Sequence, residues 1–154
     1  MNKFNFAAIG YHFVIDYSGN IYYTRPLKYK GAHSIPNSNK IGIGFSFSMN
    51  KFEISHESLN SLKKLLKVLC KMYGINKEDI IGHVQDQIFE INKIMGYDYI
   101  DENKVLNFKS RKEFMKFRKD LIKNAPTKIK RIVNIFKSCP GVFFYSHLRK
   151  KDFI

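Results

Sequence analysis

The apolar positions of this chain follow two periods, a strand-like one near the start and a helical one after residue 55. Residues 9–17 are rich in β-branched and aromatic types, Ser18-Gly19-Asn20 is a turn signal, and Ile21-Tyr22-Tyr23-Thr24 can return as a second strand. This predicts a β-hairpin. Residues 30–40 are a Gly/Pro/Asn/Ser loop. Residues 41–48 alternate and predict a strand, whose two glycines mark close approach of another backbone or a ligand. Residues 56–73 predict the clearest helix. Ser55 caps it, Leu59, Leu62, Leu65, Leu66, Leu69 and Tyr73 recur at helical spacing, and Gly74 stops it. Residues 79–83 read as a short buried strand ending in His83. Residues 84–109 fit neither period clearly. Two helices are expected at 110–124 and 127–137, parted by Pro126, and a last short helix after Cys139-Pro140-Gly141.

Composition narrows the class. A chain of 154 residues with 44% hydrophobic and 15% aromatic content is one globular domain, able to bury a sizeable core. No apolar run approaches the ~20 residues needed to span a bilayer. Residues 1–6 lead straight into strand-like sequence without a signal peptide, so synthesis in the cytoplasm is expected. Two cysteines give no disulfide framework; Cys70, on the apolar side of a helix, reads as a small core residue.

The formal charge of +14 suits anionic partners or reflects coding bias toward Lys, Asn and Ile. Residues 103–138 hold 12 Lys/Arg against Glu113 and Asp120, a net +10. A solvated helix face explains such a segment, and so does a surface for an anionic polymer. Nucleic-acid binding is the weaker reading, since Phe114, Phe117 and Phe136 follow a helix core stripe instead of an exposed stacking platform.

Four short features occur in order. They are Gly10-Tyr11-His12-Phe13-Val14-Ile15, continuing to Arg25-Pro26; Gly31-Ala32-His33, with Asn39-Lys40-Ile41-Gly42 after it; Ile81-Gly82-His83; and Lys137-Ser138-Cys139-Pro140-Gly141. Singly each is weak, because a lone His at a strand end is usually satisfied by backbone. Together they resemble the peptidoglycan-recognition and type 2 N-acetylmuramoyl-L-alanine amidase family, which includes phage lysozyme-type zinc amidases. The resemblance implies an α/β (α+β) fold, a mixed central β-sheet flanked by helices with zinc in a surface groove. It implies His83 and Cys139 as zinc ligands, Tyr11 and Lys137 as catalytic residues, and His33 and Asn39 as substrate-binding residues, Asn39 bracing the Gly-Ala-His loop. The activity implied is zinc-dependent hydrolysis of the amide between N-acetylmuramic acid and L-alanine, released to the cell wall in the manner of an endolysin. Zinc with three protein ligands and an open position activates water and polarises a carbonyl; imidazole and thiolate suit that ion.

The sequence departs from the family pattern twice. The first zinc-binding His and its strand are missing, because only nine residues precede Gly10 and none is His. His83 and Cys139 stand 56 positions apart, so residues 84–138 are expected to form a family-atypical helical insertion within a single domain, 1–154. Three readings of the missing ligand stay open: a segment or partner chain carrying the first strand; a groove that binds peptidoglycan or muropeptide without catalysis; or a substitute ligand, with His33 and then His12 nearest. His56 and His147 read as ordinary helix-surface residues.

Overall fold

The computed structural model describes residues 9–154, so the expectation for residues 1–6 lies outside the described residues. Among the described residues three short strands form one mixed sheet: β1 (Phe13–Ile15), β2 (Ile21–Tyr23) and β3 (Ile43–Phe45), in the order β2-β1-β3. β1 and β2 are the expected hairpin, with Val14 opposite Tyr22. Its turn is closed by the Asp16 carboxylate, which accepts from the Asn20 amide and side chain, both at 2.8 Å. β1 runs parallel to β3, with Val14 opposite Gly44. Parallel neighbours need a crossover, and here the loop carrying His33 supplies it.

α1 (His56–Tyr73) has the expected bounds. The Ser55 hydroxyl accepts from the Ser58 amide, and Gly74 ends the helix at φ 64°, a left-handed conformation that glycine adopts freely. Ser58 and Ser61 hydroxyls donate to the Asp16 and Gly19 carbonyls at 2.7 and 2.5 Å, docking α1 on the hairpin turn. Leu62, Leu65, Leu66 and Leu69 enter the core. Tyr73, expected in that stripe, is exposed where the last turn overhangs the groove described below. Cys70 is half-buried at the same border.

The strand expected at 79–83 does not form. Lys77–Asp79 makes a single 3-10 turn, and His83 opens α2 (His83–Met95). A short apolar run is ambiguous between strand and helix. The helix wins because the Gly82 amide donates to the Gln85 side chain at 2.9 Å, a local cap that a strand would forgo. α3 (Glu102–Leu106), α4 (Arg111–Asn124), α5 (Lys130–Asn134) and α6 (Tyr145–Lys150) complete the chain. The helix expected over 127–137 ends at Asn134. Arg118 there donates to the carbonyls of Asn134 and Phe136 at 2.7 and 2.8 Å and draws the chain off the helix axis. Phe114 stacks on Phe136, centroids 5.4 Å apart, beside fully buried Ile129 and Val133. The fold is α+β, as expected. Among the described residues no helix is long and apolar enough to cross a membrane.

Candidate functional site

A groove of about 980 Å³ runs between the His33 loop, the start of α2 and the loop carrying Cys139. Tyr11, His33, Lys40, His83, Asp86 and Cys139 all face it. The 55-residue excursion between His83 and Cys139, residues 84–138, therefore closes on itself. The Val84 amide donates to the Cys139 carbonyl at 2.9 Å. Gly82 allows this approach, for a side chain there would meet Leu148 at 2.6 Å and Pro140 at 3.1 Å.

Three consecutive buried polar residues of α2 hold the groove together. Gln85 donates to Glu102 at 2.8 Å and ties in α3. Asp86 accepts the Lys40 ammonium on both oxygens, at 2.7 and 2.8 Å, and ties in the His33 loop. Gln87 accepts the Lys137 amide at 3.0 Å and donates to the Ile135 carbonyl at 3.0 Å, tying in the Cys139 loop. Buried polar groups persist only where they are paired, and each of these pairs positions a different wall. Asn50 steadies Cys139 from the other side. Its side chain bonds the Ser138 hydroxyl at 2.9 Å and accepts the Val142 amide at 3.2 Å.

The two histidines at the sheet end have separate parts. His12 is buried, its Nε2 donating to the Tyr29 carbonyl at 2.9 Å and its Nδ1 accepting the Gly42 amide at 3.0 Å. Both ring nitrogens are engaged, so His12 braces the loop and is unavailable as a ligand. The His33 ring stacks on Tyr11, centroids 5.5 Å apart and 14° from parallel. Gly31 and Gly42 make room for it; a side chain at Gly42 would sit 2.3 Å from the ring. The His33 Nε2 is buried with no hydrogen-bond partner among the described residues. Burial, then the charges of His12, His83 and Lys40, lower its pKa to about 4, so the ring is neutral at pH 7.

The loop brace falls at Asn37, not at Asn39. The Asn37 carbonyl oxygen accepts the His33 and Ser34 amides at 2.9 and 2.8 Å. Asn39 is exposed in a left-handed conformation, φ 57°, on the groove border. Sequence reading also missed Asp86, Gln87 and Lys40. Asp86 and Gln87 belong to a run of three polar residues between Val84 and Ile88 that carries no local mark of a site.

Burial lowers the His83 pKa. Burial raises that of Cys139, against a lowering interaction with the Tyr11 hydroxyl and the charge of Lys137. Burial likewise raises the Tyr11 phenol above its ordinary range. Lys137 is exposed, and its charge acts on both His83 and Cys139. His83 and Cys139 offer imidazole and thiol, donors that suit zinc. Among the described residues no three His, Cys, Asp or Glu side chains are placed to hold a metal ion together, so His33 does not complete the set. Residues 1–8 contain none of those four types. The chain's own residues thus do not fit a three-ligand zinc site.

An α+β domain with Tyr, two His and Cys gathered around one groove at the end of a small mixed sheet defines a class, and the comparisons place it. The family model for N-acetylmuramoyl-L-alanine amidase matches residues 1–96. The chain belongs to that family. Peptidoglycan-recognition protein SD of Drosophila simulans is 32% identical over 87 residues, 55% of this chain and 47% of the relative. The Drosophila melanogaster protein of the same name is 31% identical over the same extent. Among solved structures, the N-acetylmuramoyl-L-alanine amidase LysC from Clostridium intestinale URNW is 33% identical, covering 43% of this chain and 45% of its own, with a TM-score of 0.42. Drosophila peptidoglycan recognition protein SD is 33% identical, covering 47% and 43%, with a TM-score of 0.44. The chain spans about half the length of the relatives it matches.

Proposed function

We propose that this chain acts on peptidoglycan and that its groove seats the junction between N-acetylmuramic acid and L-alanine, against Tyr11, His33, His83 and Cys139. The observation that carries this reading is the convergence of Tyr11, His33, His83 and Cys139 on one groove, although 128 positions separate the first from the last. These side chains offer imidazole, phenol and thiol groups to a ligand, and a muramyl-peptide junction has the amide and hydroxyl groups to bond them. Family membership supports the choice of ligand.

Hydrolysis of the N-acetylmuramoyl-L-alanine amide at zinc is the reaction the family suggests. His83 and Cys139 are the two donors this chain brings to it, and such a site needs three. The chain's other groups suit the ligand directly. Neutral His33 exchanges hydrogen bonds with the junction, Tyr11 stacks behind that ring and fixes its plane, and the Lys137 ammonium faces the anionic stem peptide.

The donor count favours a second reading, recognition without cleavage. One experiment separates the two. The purified chain is titrated with N-acetylmuramoyl-L-alanyl-D-isoglutamine, with and without chelator, and free L-alanine-terminated peptide is assayed after zinc addition. Binding that survives chelation without product means recognition. Product that appears with zinc and disappears on Cys139→Ala means hydrolysis. No binding under any of these conditions rejects both.

A further inference from the structure

We propose that the outer face of α4 is a second binding surface, for the phosphodiester polyanion of a cell wall; the choice of wall as source rests on the peptidoglycan reading above. α4 buries Phe114 and Leu121 and turns the opposite face outward. At 100° per residue, Lys112, Lys116, Lys119 and Lys123 fall on one line, which spans roughly 16 Å at 1.5 Å per residue. All four are exposed. Among the described residues the ion pairs are Lys40–Asp86 and His147–Asp152, so none of the four lysines is within ion-pair distance of an acid; exposed Asp120 flanks the row and leaves it with a net charge of the same sign. Glu113 is held in place by the Lys109 amide, to which it accepts at 2.6 Å. Met115 and Ile122 border the row and, with Lys112, Lys116, Arg118 and Lys119, line a shallow depression.

Four lysine charges at intervals of about 4.5–6 Å match a flexible chain carrying repeated phosphates. The face gives no means of reading bases. Its phenylalanines point inward, Phe114 fully buried and stacked on Phe136, so the stacking platform that single-stranded nucleic acid requires is missing. The helix lies outside residues 1–96, the span matched by the amidase family. Its charge is therefore additional to the groove and places a second attachment point on the same substrate particle, which raises residence on the wall by effective concentration.

The full chain is sedimented with purified Gram-positive walls and with the same walls stripped of phosphate polymer by acid. The expected result is much stronger retention on intact walls than on stripped ones, where the groove alone holds the chain. Four phosphate contacts should weaken binding roughly 50-fold between about 50 and 200 mM salt. Combined K112E, K116E and K119E should reduce retention on intact walls to the level on stripped ones while leaving muramyl-peptide titration of the groove unchanged, which keeps this test separate from that of the groove. Equal binding to stripped walls, a salt-insensitive affinity, or full retention by the triple variant would overturn the proposal. A single-stranded oligonucleotide binding more than tenfold tighter than wall polymer of equal phosphate count would overturn it in favour of nucleic acid.

Discussion

The Val84 amide bonds the carbonyl oxygen of Cys139 at 2.9 Å, and through that single contact the first turn of α2 and a loop 55 positions later become one wall. Gln87, one turn on, repeats the connection at Lys137 and Ile135. Gln87→Ala removes two bonds from a buried site. It should destabilise the chain by about 1–3 kcal/mol and weaken muramyl-peptide binding beyond what the unfolded fraction accounts for. Urea unfolding paired with calorimetric titration reads both; unchanged affinity would show that the Cys139 loop keeps its place without Gln87.

Lys40 and Asp86 form the groove's one buried ion pair among the described residues. Lys40→Met strands a buried carboxylate and should cost about 1–3 kcal/mol, less than a fully buried pair because Lys40 is partly exposed. Adding Asp86→Leu should restore part of the loss, because the stranded charge goes with it. A double-mutant cycle measures this, and a double variant no better than Lys40→Met would contradict it.

The pH dependence has a defined sign. The His33 pKa in the folded chain is about 4, below its ordinary 6.5. The unfolded chain therefore binds the extra proton between those values, and stability falls as pH drops from about 6.5 toward 4. His83, also lowered, adds in the same direction. His33→Gln should flatten that part of the profile relative to the parent chain. Urea midpoints at pH 7, 5.5 and 4.5 test it, and an identical slope in both proteins would refute the assignment.

Cys139 reports on occupancy of the groove. Its thiol is pushed up by burial, and the Tyr11 hydroxyl opposes that push. In a Cys70→Ser background, alkylation at pH 8 should be slower than for a free thiol and slower still with Tyr11→Phe. Saturating muramyl peptide should slow it several-fold more. Faster alkylation with Tyr11→Phe would mean the ring shields the sulfur more than it acidifies it.

Much of this architecture was readable from periodicity. The hairpin turn and α1 followed from side chains that act within a few residues, Asp16 on Asn20 and Ser55 on Ser58, where local chemistry decides. His33, His83 and Cys139 were identified as a set and do face one groove. The span 79–83 misled because Ile80-Ile81 suits either a strand or a helix approach, and the deciding group, Gln85, lay beyond the run. Asp86 and Gln87 were illegible for a different reason. Their partners stand 46 and 50 positions away, a relation set by tertiary packing that no local pattern encodes. Asn37 was missed in favour of Asn39 because either asparagine suits a loop, and only geometry shows which one turns inward.

The most direct measurement uses the five histidines as resident probes. Carbon-13 labelled imidazoles are followed by NMR while N-acetylmuramoyl-L-alanyl-D-isoglutamine is added at pH 7. The His33 and His83 resonances should move together and saturate, while those of exposed His56 and of His147, bonded to Asp152, stay still. Movement of none of them, or of His56 and His147 in place of His33 and His83, would contradict a muramyl-peptide site in this groove.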